Sequence, residues 1–224
     1  MYIKIIKLDK VDSTNDYASR VALSGGKEIT IISADSQLSG KGRMGRSWVS
    51  VPGKGIYVSF LIKPQNSLKE INYLPLFSAL ATARFLEGAV AQAQKEHKVK
   101  IKIKLPNDII VNGKKVAGIL VEAKTTGKKT NFVIIGIGVN MNSLKEELPD
   151  HATSLFAETG HKYDVKKNFP KLIKEMMTVY KDFKKGRIKP LLNELLPFGA
   201  GSSVEEIEEK FDRKKETGEV VHFV

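Results

Sequence analysis

The residues of this chain best suited to chemistry begin in the stretch 37–48, which reads Gln37-Leu38-Ser39-Gly40-Lys41-Gly42-Arg43-Met44-Gly45-Arg46-Ser47-Trp48. Three glycines alternate with three cations, so the backbone can approach a ligand closely while the cations meet phosphate or carboxylate. A literal G-x-G-x-x-G lies inside it at Gly40, Gly42 and Gly45. The dinucleotide-binding form of that pattern requires a helix opening at the third glycine and an acid about twenty residues further on. Here Arg46-Ser47-Trp48-Val49-Ser50-Val51-Pro52 follows, which begins a helix poorly. A kinase glycine loop is equally unsupported, because no H-R-D or D-F-G appears downstream. What remains is a cationic, flexible loop between two strands, with a plain solvated loop as the alternative.

Three further segments carry matching groups. They are Ser13-Thr14-Asn15, then Lys104-Leu105-Pro106-Asn107-Asp108 running on to Lys115-Val116-Ala117-Gly118-Ile119-Leu120-Val121-Glu122, and finally Gly136-Ile137-Gly138-Val139-Asn140. No serine–histidine–acid or paired-glutamate arrangement is evident, which disfavours hydrolysis through a protein nucleophile. The set offers cations and amide donors instead. That is the inventory for activating a carboxylate with a nucleotide, where positioning and charge neutralisation at a phosphate supply most of the catalysis. Plainer roles stand beside these: Ser13 and Thr14 as helix caps, Lys115 as a surface lysine after a turn, Asn107 and Asp108 as a turn after proline, Gly136 and Gly138 as points of close backbone approach.

The elements that must hold these segments can be read from local pattern. Residues 2–8 form a first strand, and Val11-Asp12-Ser13-Thr14 starts a helix that Gly25-Gly26 ends. Residues 28–34 and 55–62 are strands on either side of the basic loop, and residues 73–94 are the longest helix, almost all core. Residues 98–105 alternate lysine with Val99, Ile101, Ile103 and Leu105, a strand with one solvated face. Asn112-Gly113 turns a hairpin between 109–111 and 116–122, because both residues tolerate positive φ. A polar turn at 125–129, a strand over 132–137, and helices over 165–184 and around 190–196 complete the list. The order implies an α+β fold, a mixed sheet with helices packed on one side. Residues 1–186 make the main domain. Residues 187–224 are too few for an independent one, with a helix cap at Ser202/Ser203 and a turn and short strand over 216–224.

Composition bounds the rest. At 224 residues and 42% hydrophobic, the chain can build a real core. It has no cysteine, which removes disulfides, thiol nucleophiles and cysteine-ligated zinc. His97, His151, His161 and His222 form no ligand-spaced pair, so no metal site is expected on the protein itself. No stretch of about eighteen apolar residues or leader-like start is seen, so the expectation is a cytoplasmic chain that does not enter membranes. The charge of +12 suits a nucleic acid, an anionic cofactor or an acidic partner without choosing among them.

Taken together, the four segments make the chain resemble the biotin–protein ligases. That family's G-R-G-R-x-G-R is present as Gly40–Arg46, its K-W-P-N-D as Lys104–Asp108, its K-x-A-G-I-L-x-E as Lys115–Glu122 and its G-x-G-x-N as Gly136–Asn140, with the Ser-Thr-Asn triplet ahead of them. Order and spacing agree over residues 1 to about 185. Lys41 stands where the pattern has arginine, losing the planar fork, and Leu105 where it has tryptophan.

The resemblance implies a fold like that of class II aminoacyl-tRNA synthetases and biotin ligases, with a short or truncated SH3-like tail. It implies biotin as substrate and ATP with Mg2+, adenylate formation, and transfer to a lysine of a biotin carboxyl carrier domain. It assigns Ser13, Thr14, Asn15, Gln37, Gly40, Lys41, Gly42, Arg43, Lys115 and Gly118 to biotin. Arg46, Trp48, Lys104, Asn107, Asp108, Lys115 and Asn140 fall to ATP, with core packing equally open for Trp48. Lys115, Arg43 and Arg46 are the implied catalytic groups, with Lys115 between the biotin carboxylate and the α-phosphate and Asp108 near Lys115 or a magnesium-bound water. The glycine content implies a flap that orders when biotin binds. A homodimer is left open, with strand 55–62 as a candidate edge. Because the chain opens on the strand before Ser13, the likeness is to ligases without an N-terminal DNA-binding domain, and no specific nucleic acid is expected. A lipoate ligase-like adenylating enzyme and a basic nucleic-acid-binding regulator are the alternatives.

Overall fold

Strand alternation and one long apolar helix build a sheet with two differently covered faces. The computed structural model describes residues 3–93, 99–127, 129–216 and 222–223. Strands β1 (Lys4–Val11), β2 (Thr30–Gln37), β3 (Gly55–Ile62), β4 (Ile101–Lys104), β5 (Asp108–Val111), β6 (Lys114–Thr126) and β7 (Lys129–Asn140) lie in the order β1-β2-β3-β7-β6-β5-β4. Only β1 and β2 run parallel along this path; the other neighbours are antiparallel. A two-residue strand, β8 (His222–Phe223), runs parallel to β6 at Glu122–Ala123.

Every residue of β3 is buried because both of its faces and both of its edges are covered. That corrects the expectation of a free edge at 55–62: β3 pairs with β2 on one side and β7 on the other and cannot join a second copy edge to edge. Ile56, Val58, Phe60 and Ile62 point into the main core, with α3 (Leu74–Ala93) and α5 (Val165–Lys184). Ser59 and Leu61 point to the other face. There α1 (Thr14–Leu23) packs through Ala18 and Ala22 against Ile32, Leu61, Phe132 and Ile134. The two long helices thus share one face, and the short α1 covers part of the opposite one.

Helix α3 is apolar and long enough to cross a membrane by composition, but its residues are the centre of the folded core, stacked Tyr73–Phe77 at one end. Burying large side chains at roughly 25 cal/mol per Å² makes this packing the main source of stability. The segment after 186 joins the same core. Helix α6 (Ile188–Asn193) buries Leu191 and Leu192, and α7 (Val204–Glu216) buries Ile207 and Phe211, with Phe211 stacked on Tyr73 at 5.1 Å. Among the described residues of 187–224 an SH3-like barrel is not seen. The turn and short strand expected over 216–224 fall largely on 217–221 and 224, outside the described residues, and Lys98 of the lysine-alternating strand lies outside them as well.

Candidate active site

The cleft opens on the α1 face, and strand parity decides what lines it. Along β7, Gly136, Gly138 and Asn140 share one face by the two-residue period, while Ile135, Ile137 and Val139 enter the core. Strict alternation would place Lys115 on the core side with Ala117, Ile119 and Val121. A β-bulge prevents this. Ile109 opposes Ala117 but Ile110 opposes Lys115, so Val116 is an extra residue on β6. Val116 and Ala117 are accordingly both in the core, and Lys115 and Gly118 both face the cleft. The Asn112-Gly113 turn takes φ of 48° and 81°, as the hairpin requires.

The cleft has a volume of about 480 Å³. It gathers every predicted site residue except Gly40: Ser13, Thr14, Asn15, Gln37, Lys41, Gly42, Arg43, Arg46, Trp48, Lys104, Asn107, Asp108, Lys115, Gly118 and Asn140. Gly40 sits just behind the lining, where a Cβ would meet Gln37 Nε2 at 3.0 Å and the Trp48 carbonyl. Five basic side chains (Lys41, Arg43, Arg46, Lys104, Lys115) face one carboxylate, Asp108, across this space. Such an excess suits an anion bearing several charges.

The base of the cleft is a polar network. Ser13 caps α1, and the Thr14 amide and hydroxyl both donate to Gln37 Oε1, at 2.8 and 3.0 Å. Gln37 Nε2 donates to Ser50 at 2.9 Å. Asn15 donates to Glu122 at 2.6 Å, and its carbonyl lies 2.6 Å from the Ser59 hydroxyl. The amides of Gln37 and Asn15 are therefore engaged with protein at both ends, which fixes their orientation and rigidifies the α1 terminus. Ser59, fully buried, was missed from sequence; the one signal was a serine inside the apolar run Ile-Tyr-Val-Ser-Phe-Leu-Ile.

The basic stretch is an irregular hairpin over the mouth of the cleft. Gly42 N donates to Arg46 O at 2.7 Å, Trp48 N to Gly40 O at 2.7 Å, and the tip turns through Met44 at φ 54°. Two side chains tether it: Lys41 pairs with Asp16 on α1, and Arg43 donates to the Asn107 carbonyl. The Asp16 partnership raises the Lys41 pKa, so its charge is secure. Asn107 is itself fixed by donating to Ile119 O at 2.6 Å.

Trp48 lies against the two cleft glycines. A Cβ on Gly138 would stand 2.7 Å from Trp48 Cζ2, and one on Gly118 would stand 2.9 Å from Trp48 Cζ3 and 2.8 Å from Lys115 Cε. Neither position can carry a side chain without moving the indole. The Lys115 ammonium is held 2.7 Å from Asp108 Oδ1 and 5.5 Å from the Trp48 ring. Two polar atoms in the lining are buried without a partner: the donor Trp48 Nε1 and the acceptor Asn140 Oδ1. Leaving such groups unpaired costs about 1–3 kcal/mol each, which a polar ligand in the cleft would relieve. Leu148, Pro149, His151 and Ala152 also line the space. They come from a segment with no sequence motif, brought in because Ala152 bridges to Lys115.

Comparison with known proteins shows the family. The pattern of the Biotin/lipoate A/B protein ligase family matches residues 8–140. The bifunctional ligase/repressor BirA of Bacillus spizizenii is 37% identical over 164 residues, covering 71% of this chain and 48% of that protein. The biotin–[acetyl-CoA-carboxylase] ligase of Paracoccus denitrificans is 35% identical over 164 residues, covering 70% of this chain and 65% of the relative. Among solved structures, the biotin protein ligase of Aquifex aeolicus in complex with biotin and ATP superposes with a TM-score of 0.68. It is 32% identical, with 86% of this chain and 76% of that one covered. The Leishmania major biotin protein ligase in complex with biotinyl-5-AMP gives 0.60 at 27% identity, covering 81% of this chain and 80% of that one. The chain spans about half the length of the first of these relatives.

Proposed function

The chain belongs to the biotin/lipoate A/B protein ligase family, and from that premise we propose that it is a biotin–protein ligase. The biotin carboxylate attacks the α-phosphorus of ATP, releasing pyrophosphate and leaving biotinyl-5′-AMP. A lysine amine of a biotin carboxyl carrier domain then attacks the acyl carbon and AMP departs. The observation that carries this is Lys115, turned by the bulge onto the cleft face and held over Gly118 beside the flap. One ammonium there can sit between a carboxylate and a phosphate and draw two mutually repelling anions together.

Each group has a role that its surroundings support. Gly118 and Gly138, without side chains, leave room for the biotin rings and chain, with Ser13 and Thr14 at the α1 terminus, and Trp48, which lies against both glycines, serves the ATP side. Gln37 and Asn15, engaged at both ends, shape that end of the pocket. Lys41 and Arg43 hold the flap across the mixed anhydride, keeping water from it. Arg46, Lys104, Asn107 and Asn140 take the phosphates and nucleotide. Magnesium enters with ATP, for which Asp108 is the one carboxylate lining the cleft; among the described residues no group of three acids or histidines could hold it alone. Dependence on ATP accords with a cytoplasmic enzyme.

Biotin-dependent exchange of pyrophosphate into ATP tests this directly. The Lys115→Ala variant should lose at least ~100-fold of the exchange rate, from the loss of charge neutralisation in the transition state. Unaltered exchange in that variant would remove Lys115 from the mechanism. Because the family name covers lipoate as well, calorimetric titration of both vitamins belongs beside it, and binding of lipoate alone would overturn the choice of substrate.

A further inference from the structure

Lys115 is the second residue of β6, between the Asn112-Gly113 turn and the bulge at Val116, where only Lys114 and Lys115 pair with β5 before the register breaks. Its amide and carbonyl are bonded by a different segment. The Lys115 amide donates to His151 O at 3.0 Å, and its carbonyl accepts from Thr153 N at 2.8 Å. Residues 151–153 thus act as a short parallel strap along one edge of the lysine. The strap has no long strand behind it, since the helix α4 (Leu155–Thr159) follows at once. Something must keep it in register.

We propose that Glu158, on α4, is a positioning residue that sets the location of the Lys115 amine through this strap. One carboxylate oxygen accepts from the Thr153 hydroxyl at 2.6 Å, and the other accepts from the Asn112 side-chain amide at 2.6 Å. Glu158 therefore ties the strap to the tip of the very hairpin that presents Lys115, closing a loop of contacts around the lysine backbone. Thr153 is buried, and its carbonyl accepts from Asn140 Nδ2 at 3.0 Å, which links the same strap to a residue of the cleft. Charge-assisted bonds of this length are the stronger kind, and both go to groups that define where β6 starts. Glu158 itself does not line the cleft, so its effect is on geometry alone. The consequence follows from the tolerance of such reactions: displacing a charged group by about 1 Å can cost up to about a hundredfold in rate.

The inference rests on Lys115 being the catalytic group, and the test separates the two. In Glu158→Ala, kcat for biotin-dependent pyrophosphate exchange should fall about tenfold while KM for biotin and for ATP stays within about twofold. Glu158→Gln should recover most of the loss, because its amide oxygen can accept from Thr153 while its NH2 donates to a flipped Asn112. Thr153→Val should resemble Glu158→Ala, and the double variant should be no worse than either single one. Independently of activity, hydrogen exchange at the Lys115 amide should accelerate at least ~tenfold in Glu158→Ala, with the amides of Val121 and Ala123 unchanged. If exchange at Lys115 is unchanged, the strap does not depend on Glu158 and the proposal fails. If it accelerates but kcat holds, the strap is real and has no part in positioning the amine, which also overturns it. A wild-type chain inactive with biotin would instead refute the proposed function, leaving the amide result to judge the strap.

Discussion

Replacing Gly138 with alanine is the most informative single change in the cleft. The added methyl would stand 2.7 Å from both Trp48 Cζ2 and Nε1. Carbon atoms prefer about 3.5–4.0 Å, so the indole must retreat by about 1 Å. Overpacking a rigid core costs about 1–3 kcal/mol. Here, however, the clashing group rides on the largely exposed flap, which the Lys41 and Arg43 side chains tether to Asp16 and Asn107. The flap should yield before the sheet does, limiting the stability loss to under about 1 kcal/mol. Gly136→Ala is the control. Its methyl would meet Asn15 Cγ at 2.9 Å, and Asn15 is buried and pinned by Ser59 and Glu122. There the cost combines overpacking with a disrupted buried amide, about 2–4 kcal/mol. Trp48 is the only tryptophan in the chain, so its fluorescence reports the flap alone, while urea unfolding followed by circular dichroism reports the fold. Gly138→Ala should shift Trp48 emission to the red with little change in midpoint, and Gly136→Ala should lower the midpoint. An unshifted emission in Gly138→Ala, with a midpoint as low as that of Gly136→Ala, would refute the placement of the indole on β7.

Three further outcomes are expected. Asp16→Asn removes the Lys41 tether, so trypsin should cut after Lys41 or Arg43 at least about threefold faster, as expected of a loop whose local opening is easier; an unchanged cleavage rate would dismiss the tether. Asn107→Ala removes both the Arg43 contact and the bond to Ile119 O, and should lower stability by about 1–2 kcal/mol in urea unfolding, with equal midpoints as the contrary result. Arg20 binds both oxygens of Asp12, at 2.8 and 2.9 Å, and this is what chiefly lowers the Asp12 pKa to about 2 from an ordinary 3.8. Since the folded value lies below the unfolded one, the pair stabilises the fold above about pH 4, and the gain is lost as pH falls from about 4 to about 2. The pair is half-exposed, so Asp12→Asn should cost only about 0.5 kcal/mol at pH 7 and nothing near pH 2, checked by the pH dependence of the urea midpoint.

What sequence alone determined was local in origin. The bounds of β3 and α5 were legible as an apolar run closed by Pro64 and a helical pattern over 165–184, because hydrophobic period is a property of neighbouring residues. The Asn112-Gly113 turn and the three cleft positions on β7 were legible for the same reason. Residue types and spacing stated a chemistry of cations and amide donors, and the site residues could be named one by one through the resemblance to the biotin–protein ligases.

Tertiary structure decided what depends on partners far along the chain. Pairing on both sides made β3 an interior strand where its apolar character had suggested an edge, since nothing in a strand's own residues says how many neighbours it has. Alternation alone would have turned Lys115 into the core, and only the bulge at Val116 puts its amine in the cleft. Ser59, the strap at 151–153 and Glu158 carry no motif. They matter because folding sets them against residues 36 to 46 positions away, distances over which hydrogen bonding leaves no local trace.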